Sequence, residues 1–159
     1  MKASQDIRVH IHGSAVLLGE IGVLIRGRSG AGKSSLALAL VEAWRRDGNF
    51  ARLVGDDRVA FRVSSGRALL SPHDTLAGFA EWRGLGLINQ EFEPKAVLAL
   101  IVDLEDDDAR NAYARMPELE EMTCDFNGLT KMSRLRLPVR ETSRSVAAVM
   151  AFLHKLSTK

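Results

Sequence analysis

Gly27-Arg28-Ser29-Gly30-Ala31-Gly32-Lys33-Ser34 satisfies the spacing Gly-x-x-x-x-Gly-Lys-Ser/Thr at every specified position. Each residue type has a physical reason to be there. Glycines let the backbone curl so that successive N–H groups turn toward phosphate oxygens. A helix following the loop adds the positive end of its dipole. Lys33 is placed to reach the β- and γ-phosphates, and the Ser34 hydroxyl to ligate Mg2+. The pattern predicts binding of a nucleoside triphosphate with magnesium, and it leaves the acceptor of the phosphoryl group open. The plainer reading, a glycine-rich turn before a helix, lacks a reason for the Lys33-Ser34 pair.

Phosphoryl chemistry on such a loop also needs a carboxylate for the metal and a group that orients or deprotonates the nucleophile. Asp56-Asp57 follow a short apolar stretch, Arg52-Leu53-Val54-Gly55, where such carboxylates are wanted. An Asp pair at a strand end is equally often a turn former, and the pair alone does not decide. His12 sits in an alternating segment and reads either as a structural histidine or as a site residue; His10, His73 and His154 read as surface or structural. The lone Cys124 excludes an intramolecular disulfide, and no Cys/His cluster with zinc spacing occurs.

These groups must be carried by regular elements. From Ile7 to Ile25 the chain alternates and then turns apolar, punctuated at Gly13-Ser14 and Gly19-Glu20, which predicts two or three short strands joined by tight turns. Lys33 to Arg46 is free of Gly and Pro and rich in Leu and Ala, which predicts a helix, apolar on nearly every side and so largely buried. Asp47-Gly48-Asn49 ends it. Arg52 to Gly55 predicts a strand running into Asp56-Asp57, and Val59–Val63 with Ala68–Leu70 a hairpin around Ser64-Ser65-Gly66. The run at 96–104 predicts a strand covered on both faces, the central-sheet pattern of α/β proteins. Residues 105–128 read as an acidic, turn-rich and mobile stretch, Arg134–Val139 as a further strand, and Thr142 or Ser143 as the cap of a last helix reaching about Lys155.

The chain has 159 residues, 46% hydrophobic and 26% charged, which fits one domain over 1–159 with a core of its own. Net charge is +2 with signs interleaved, against a concentrated basic face for nucleic acid; Arg45-Arg46 and Arg134/Arg136 are too small a footprint. No apolar run approaches the roughly 18 residues that span a bilayer. Met1 to His10 is polar, without a signal-peptide core. No membrane and no nucleic-acid partner are expected, and the expected compartment is the cytoplasm.

Taken together, His12-Gly13, Gly22-Val23-Leu24-Ile25, the phosphate loop, and Leu53-Val54-Gly55-Asp56-Asp57-Arg58-Val59 resemble the catalytic domain of the HPr kinase/phosphorylase family. Glu81-Trp82-Arg83-Gly84-Leu85-Gly86-Leu87-Ile88-Asn89 is close to that family's signature segment and is not shared by phosphate-loop proteins in general. Pro138-Val139-Arg140 and Arg144 are similar to its closing arginine motif. The resemblance runs over about residues 8 to 152. It implies an α/β fold, a phosphate-loop-containing mixed β-sheet with flanking helices like that of HPr kinase and PEP carboxykinase. It also implies a bifunctional enzyme that uses ATP and Mg2+ to phosphorylate a serine of the carrier protein HPr and removes that phosphate by phosphorolysis.

Carried over by residue, Lys33 and Ser34 keep the roles above, Asp57 exchanges the serine proton, with Asp56 beside it, and His12 stands beside that carboxylate. Glu81 becomes a second metal ligand after Ser34. Arg83 or Arg115 binds phosphate oxygens, with Arg115 on a flexible loop; by itself, an arginine in that acidic stretch reads equally well as an exposed salt-bridge partner. The family assembles as a ring of six, so a homo-oligomer is implied.

Four features depart from the family pattern. The family's longer members carry a separate N-terminal domain, and only a few residues precede the first strand in this sequence, so a short form is expected. Ser35 stands where a glutamate commonly follows the loop serine, and the connection Ala43–Ala51 is longer than usual. The closing motif, Pro138-Val139-Arg140-Glu141-Thr142-Ser143-Arg144, lacks the family's Pro-Gly pair, which makes the kinase direction better supported than phosphorolysis. Two other readings remain open at this level: a nucleotide-binding regulatory module without transfer, and a small-molecule kinase or NTPase.

Overall fold

The computed structural model describes residues 8–106 and 116–157. Three short strands open the described chain: β1 (Val9–His12), β2 (Ser14–Leu18) and β3 (Ile21–Arg26). Gly13 and the Gly19 turn separate them as the punctuation predicts, except that Ser14, read as part of a turn, begins β2 and is fully buried. Helix α1 (Lys33–Arg46) follows the phosphate loop directly. Beyond it lie β4 (Ala51–Gly55), the hairpin β5 (Arg58–Ser64) and β6 (Arg67–Pro72), and a separate small hairpin, β7 (Phe79–Trp82) with β8 (Gly86–Asn89). The chain then forms β9 (Ala96–Glu105), β10 (Thr123–Phe126), β11 (Leu129–Pro138) and helix α2 (Thr142–Ser157).

The main sheet runs β1-β5-β6-β9-β3-β2-β4, with β11 also paired to β9 and carrying β10. Strand β9 is parallel to β3 and β11 and antiparallel to β6, so the sheet is mixed. Leu100, Ile101 and Val102 are fully buried, as a strand covered on both faces requires. Earlier in the strand this coverage fails: Val97 is exposed, and the expectation of two-sided burial holds only for the second half.

Alternation divides the core between the two faces of the sheet. Val23 and Ile25 of β3 pack with Leu36, Leu40, Trp44, Val149 and Leu153 of the two helices. Leu24, between them, packs with Val54, Phe61, Leu70, Ile101 and Phe126 on the other face. Helix α1 is more amphipathic than its composition predicts. Leu36, Ala37, Leu40, Val41 and Trp44 repeat at helical spacing toward the sheet, while Ser35, Glu42, Arg45 and Arg46 face water.

Within 105–128 the described residues 116–122 form turns as read, and the departure comes at the end of the stretch. Thr123–Phe126 forms a strand against β11, and β11 starts five residues before the predicted Arg134. The T-shaped contact of Phe126 with Phe61 and the Arg26 guanidinium over the Phe126 ring give this strand its anchor. At α2 the Ser145 N–H donates to the Glu141 carbonyl at 2.9 Å, so the helix opens at Glu141 and neither Thr142 nor Ser143 occupies the cap position.

Candidate active site

The phosphate loop joins β3 to α1 and adopts the curl that its glycines allow. Gly30 and Gly32 have φ of 76° and 96°, left-handed values that a side chain would strain. At Gly27 a Cβ would lie 3.1 Å from the Leu104 carbonyl oxygen, so close packing against β9 also requires glycine. Lys33 is buried for most of its length, and its ammonium donates to the carbonyls of Gly27 and Arg28, both at 2.9 Å. Burial pulls the Lys33 pKa down from the ordinary lysine range, and the charges of Asp57 and Asp56 oppose that shift.

Strand β4 delivers the Asp pair to the loop, and the two carboxylates part company. Asp56 is buried, 3% exposed. Its Oδ1 accepts from the Ser34 hydroxyl at 2.8 Å and from the Ser14 hydroxyl at 2.6 Å, and its Oδ2 accepts from the Glu81 N–H at 3.0 Å. Asp57 turns outward, with φ of 63° in a tight turn closed by the Arg58 N–H on the Asp56 carbonyl at 2.7 Å. Such backbone strain, of order 1–3 kcal/mol, persists where surrounding structure holds it. Here the Gly13 N–H donates to the Asp57 carbonyl at 3.0 Å, and His12 Nε2 lies 3.1 Å from Asp57 Oδ1. Half of the Asp57 side chain remains open to solvent.

The β7–β8 hairpin forms the opposite wall. It brings Glu81 and Arg83 to the same cleft, of about 680 Å3, that His12, Lys33, Ser34, Asp57 and Arg140 line. The Arg83 guanidinium lies over the loop, since a Cβ on Gly30 would come within 3.5 Å of its Nη2. From the far end of the chain, the Arg140 N–H donates to the Ala31 carbonyl at 3.0 Å and its Nε–H to the Gly30 carbonyl at 3.2 Å. Arg28 is held at the edge of the loop by a bidentate pair with Asp106 at 2.7 and 2.8 Å. That hydrogen bond holds the Asp106 carboxyl below its usual range.

The structure thus brings His12, Gly27, Arg28, Ser29, Gly30, Ala31, Gly32, Lys33, Ser34, Asp56, Asp57, Glu81 and Arg83 to one place. Arg115 lies outside the described residues. Two residues of the site went unmarked in the sequence, Ser14 and Asp106. A serine at the head of an apolar strand and an acid just past the end of β9 were the available signals. Arg140 was noted for its motif, and its seat on the loop was not foreseen.

Among the described residues, no group of three or more His, Cys, Asp or Glu converges closely enough to hold a metal alone. A hydroxyl (Ser34), a buried carboxylate (Asp56) and a carboxylate on the cleft wall (Glu81) are hard oxygen donors. Such a sparse oxygen set fits Mg2+, which takes one or two protein ligands and completes its shell with phosphate and water. No helix among the described residues is long and apolar enough to cross a membrane.

Comparison with known proteins agrees with this geometry. A family described as the HPr Serine kinase C-terminal domain matches residues 4–158. The HPr kinase/phosphorylase of Geobacillus sp. (strain WCH70) is 35% identical over 148 residues, covering 88% of this chain and 45% of that protein. The one from Geobacillus kaustophilus (strain HTA426) is 36% identical with the same coverage. The chain therefore spans somewhat under half the length of these curated relatives. The solved Hpr(Ser) kinase/phosphatase from Coxiella burnetii superposes with a TM-score of 0.70 over 94% of this chain and 92% of that one, at 20% identity, and shows the fold.

Proposed function

Because this chain belongs to the HPr Serine kinase C-terminal domain family, we propose that it transfers the γ-phosphoryl group of ATP to a serine of an HPr-type phosphocarrier protein. In the reverse direction it releases that phosphate to inorganic phosphate as pyrophosphate. The observation that carries the reading is the open Asp57 carboxylate, paired with His12 and facing Lys33 and Ser34 across one cleft.

Asp57 is the acceptor of the serine proton. The serine Oγ forms its bond to the γ-phosphorus as the bond to the bridging oxygen breaks, and the proton moves to Asp57. A largely dissociative transfer needs little early deprotonation, so a carboxylate within hydrogen-bond reach of the serine hydroxyl suffices. His12 fixes which oxygen of Asp57 is presented. In the reverse direction Asp57 returns the proton to the serine Oγ as phosphate takes the phosphoryl group.

Lys33 moves its ammonium from the Gly27 and Arg28 carbonyls onto phosphate oxygens. Arg83 and Arg140, at the loop, can take phosphate oxygens through the planar guanidinium fork. Ser34, Asp56 and Glu81 are the residues to hold Mg2+, which neutralises charge on the β- and γ-phosphates when bound. Assembly as a ring of six, with Arg115 completing a neighbour's site, is part of the same proposal and follows the family resemblance.

The test is transfer of labelled γ-phosphate from ATP with Mg2+ to a purified HPr-type carrier, beside an Asp57→Asn control, followed by inorganic phosphate. Label on a carrier serine that is lost in the variant and released as pyrophosphate supports the reading. Nucleotide binding without any label on the carrier overturns it.

A further inference from the structure

We propose that Ser14 is a positioning residue that acts through Asp56, orienting that carboxylate so that one lone-pair direction on Oδ2 stays open toward the metal. The inference rests on the reading above, in which Asp56 stands beside the Mg2+ ligand Ser34.

Ser14 is fully buried at the head of β2, followed by the buried apolar residues Ala15 and Val16. A hydroxyl in such surroundings is costly unless it is paired. Its partner is the Asp56 Oδ1 at 2.6 Å, and Ser34 donates to the same oxygen at 2.8 Å. The two oxygens of an ionised carboxylate offer about four lone-pair sites. Two hydroxyls fill those of Oδ1, and the Glu81 N–H takes one of Oδ2 at 3.0 Å. The direction left is on Oδ2, the oxygen next to Glu81.

Ser34 is oriented by the same arrangement. While its proton points at Oδ1, its lone pairs turn outward to the cleft, where a metal ligand needs them. Without the Ser14 donor, Oδ1 regains a free site, and the terminal torsion of an aspartate is broad enough to let the carboxylate turn. Ser34 and the Glu81 N–H then lose a fixed acceptor.

The β1–β2 corner makes this placement stiff. His12 takes Asp57 and Ser14 takes Asp56, so two residues flanking Gly13 hold the two members of the Asp pair. The Gly13 N–H on the Asp57 carbonyl fastens the corner at 3.0 Å. A Cβ on Gly13 would stand 2.7 Å from the Ile25 carbonyl, so the corner lies directly against β3, the strand that enters the phosphate loop.

The experiment is a titration of ATP binding against Mg2+ for the full chain and for Ser14→Ala, with the same binding measured in EDTA. The expected result is a rise of about 10-fold or more in the half-saturating Mg2+ concentration, the usual effect of removing an outer partner of a metal ligand. Affinity in EDTA stays at the wild-type value, because the loop amides and Lys33 are untouched. Unchanged Mg2+ dependence in folded Ser14→Ala, or an equal loss in EDTA, would overturn the assignment in favour of a purely structural serine. Should Ser14→Ala not fold, Ser14→Cys, slightly larger and only a weak donor, reads a rise in the same direction. ATP binding by the wild-type chain that ignores Mg2+ overturns the parent reading, and this one with it, without reference to any variant.

Discussion

The Arg140 N–H donates to the Ala31 carbonyl at 3.0 Å, joining the turn before α2 to the middle of the phosphate loop. Arg140 has φ of 57°, so the contact is made from a left-handed backbone. The turn is held in a costly conformation at the point where its guanidinium reaches Gly30.

Substitution separates those two contributions. Arg140→Ala removes the Nε–H contact to Gly30 and keeps the backbone strain; Arg140→Gly removes both. Arg140→Gly is therefore expected to be the more stable of the two by about 1 kcal/mol. Both are expected to weaken ATP binding several-fold, the effect of losing a contact of about 1 kcal/mol. Thermal unfolding and nucleotide titration on the same samples check this, and an Ala variant as stable as the Gly variant would remove strain from the account.

Asp57→Asn keeps the left-handed turn, because asparagine tolerates φ of 63° where alanine does not. ATP binding is expected to stay near wild type while transfer falls by about 10²–10⁴-fold, the range of general-base catalysis. His12→Ala, which leaves the carboxylate in place but unguided, is expected to lose less. Single-turnover transfer with matched binding data distinguishes a chemical loss from a binding loss. A proportional loss of affinity in Asp57→Asn would argue against a proton-accepting role.

Lys33 carries a pH signature. Burial lowers its folded-state pKa, so its charge costs stability at pH values below that lowered pKa. Between the folded and unfolded values the unfolded chain binds more protons. The Lys33 contribution therefore rises with pH through that alkaline window. Lys33→Met, apolar and close in size, is expected to unfold no more easily than wild type at neutral pH and to flatten this rise. It is also expected to bind ATP about 10- to 100-fold more weakly, the cost of a lost charged hydrogen bond. Melting curves from pH 7 upward, compared between the two proteins, test the sign.

Gly13 is fixed by a close approach. A Cβ there would meet the Ile25 carbonyl at 2.7 Å, and backbone must move to accommodate it. Gly13→Ala is expected to destabilise the fold by about 1–3 kcal/mol, as overpacking does. It should also lower transfer more than His12→Ala does, because the displaced corner carries both His12 and Ser14. Denaturant midpoints and transfer rates report the two effects separately, and a stable Gly13→Ala protein with full activity would show that the corner is compliant.

The sequence by itself determined the phosphate loop, the start and end of α1, the strand that runs into Asp56-Asp57, and the family signature at Glu81–Asn89. These are local patterns. Glycine conformational freedom, helix propensity and strand alternation act over a few residues, so their result is legible in order along the chain. The hairpin carrying the signature, the strand at Thr123–Phe126, and the solvent-facing edge of α1 depended on what packs against them.

Tertiary structure alone decided which groups meet. Ser14 and Asp56 are 42 residues apart, Arg28 and Asp106 78, and Arg140 and Gly30 110. No local propensity links such pairs, because they are joined by strand order and register. A slip of one residue in a strand would exchange its two faces and turn Ser14 away from Asp56. The split between a buried Asp56 and an open Asp57 has the same origin. Two identical neighbours in sequence acquire different chemistry because β4 delivers one inward, to two hydroxyls and an amide, and the other outward, to His12 and the cleft.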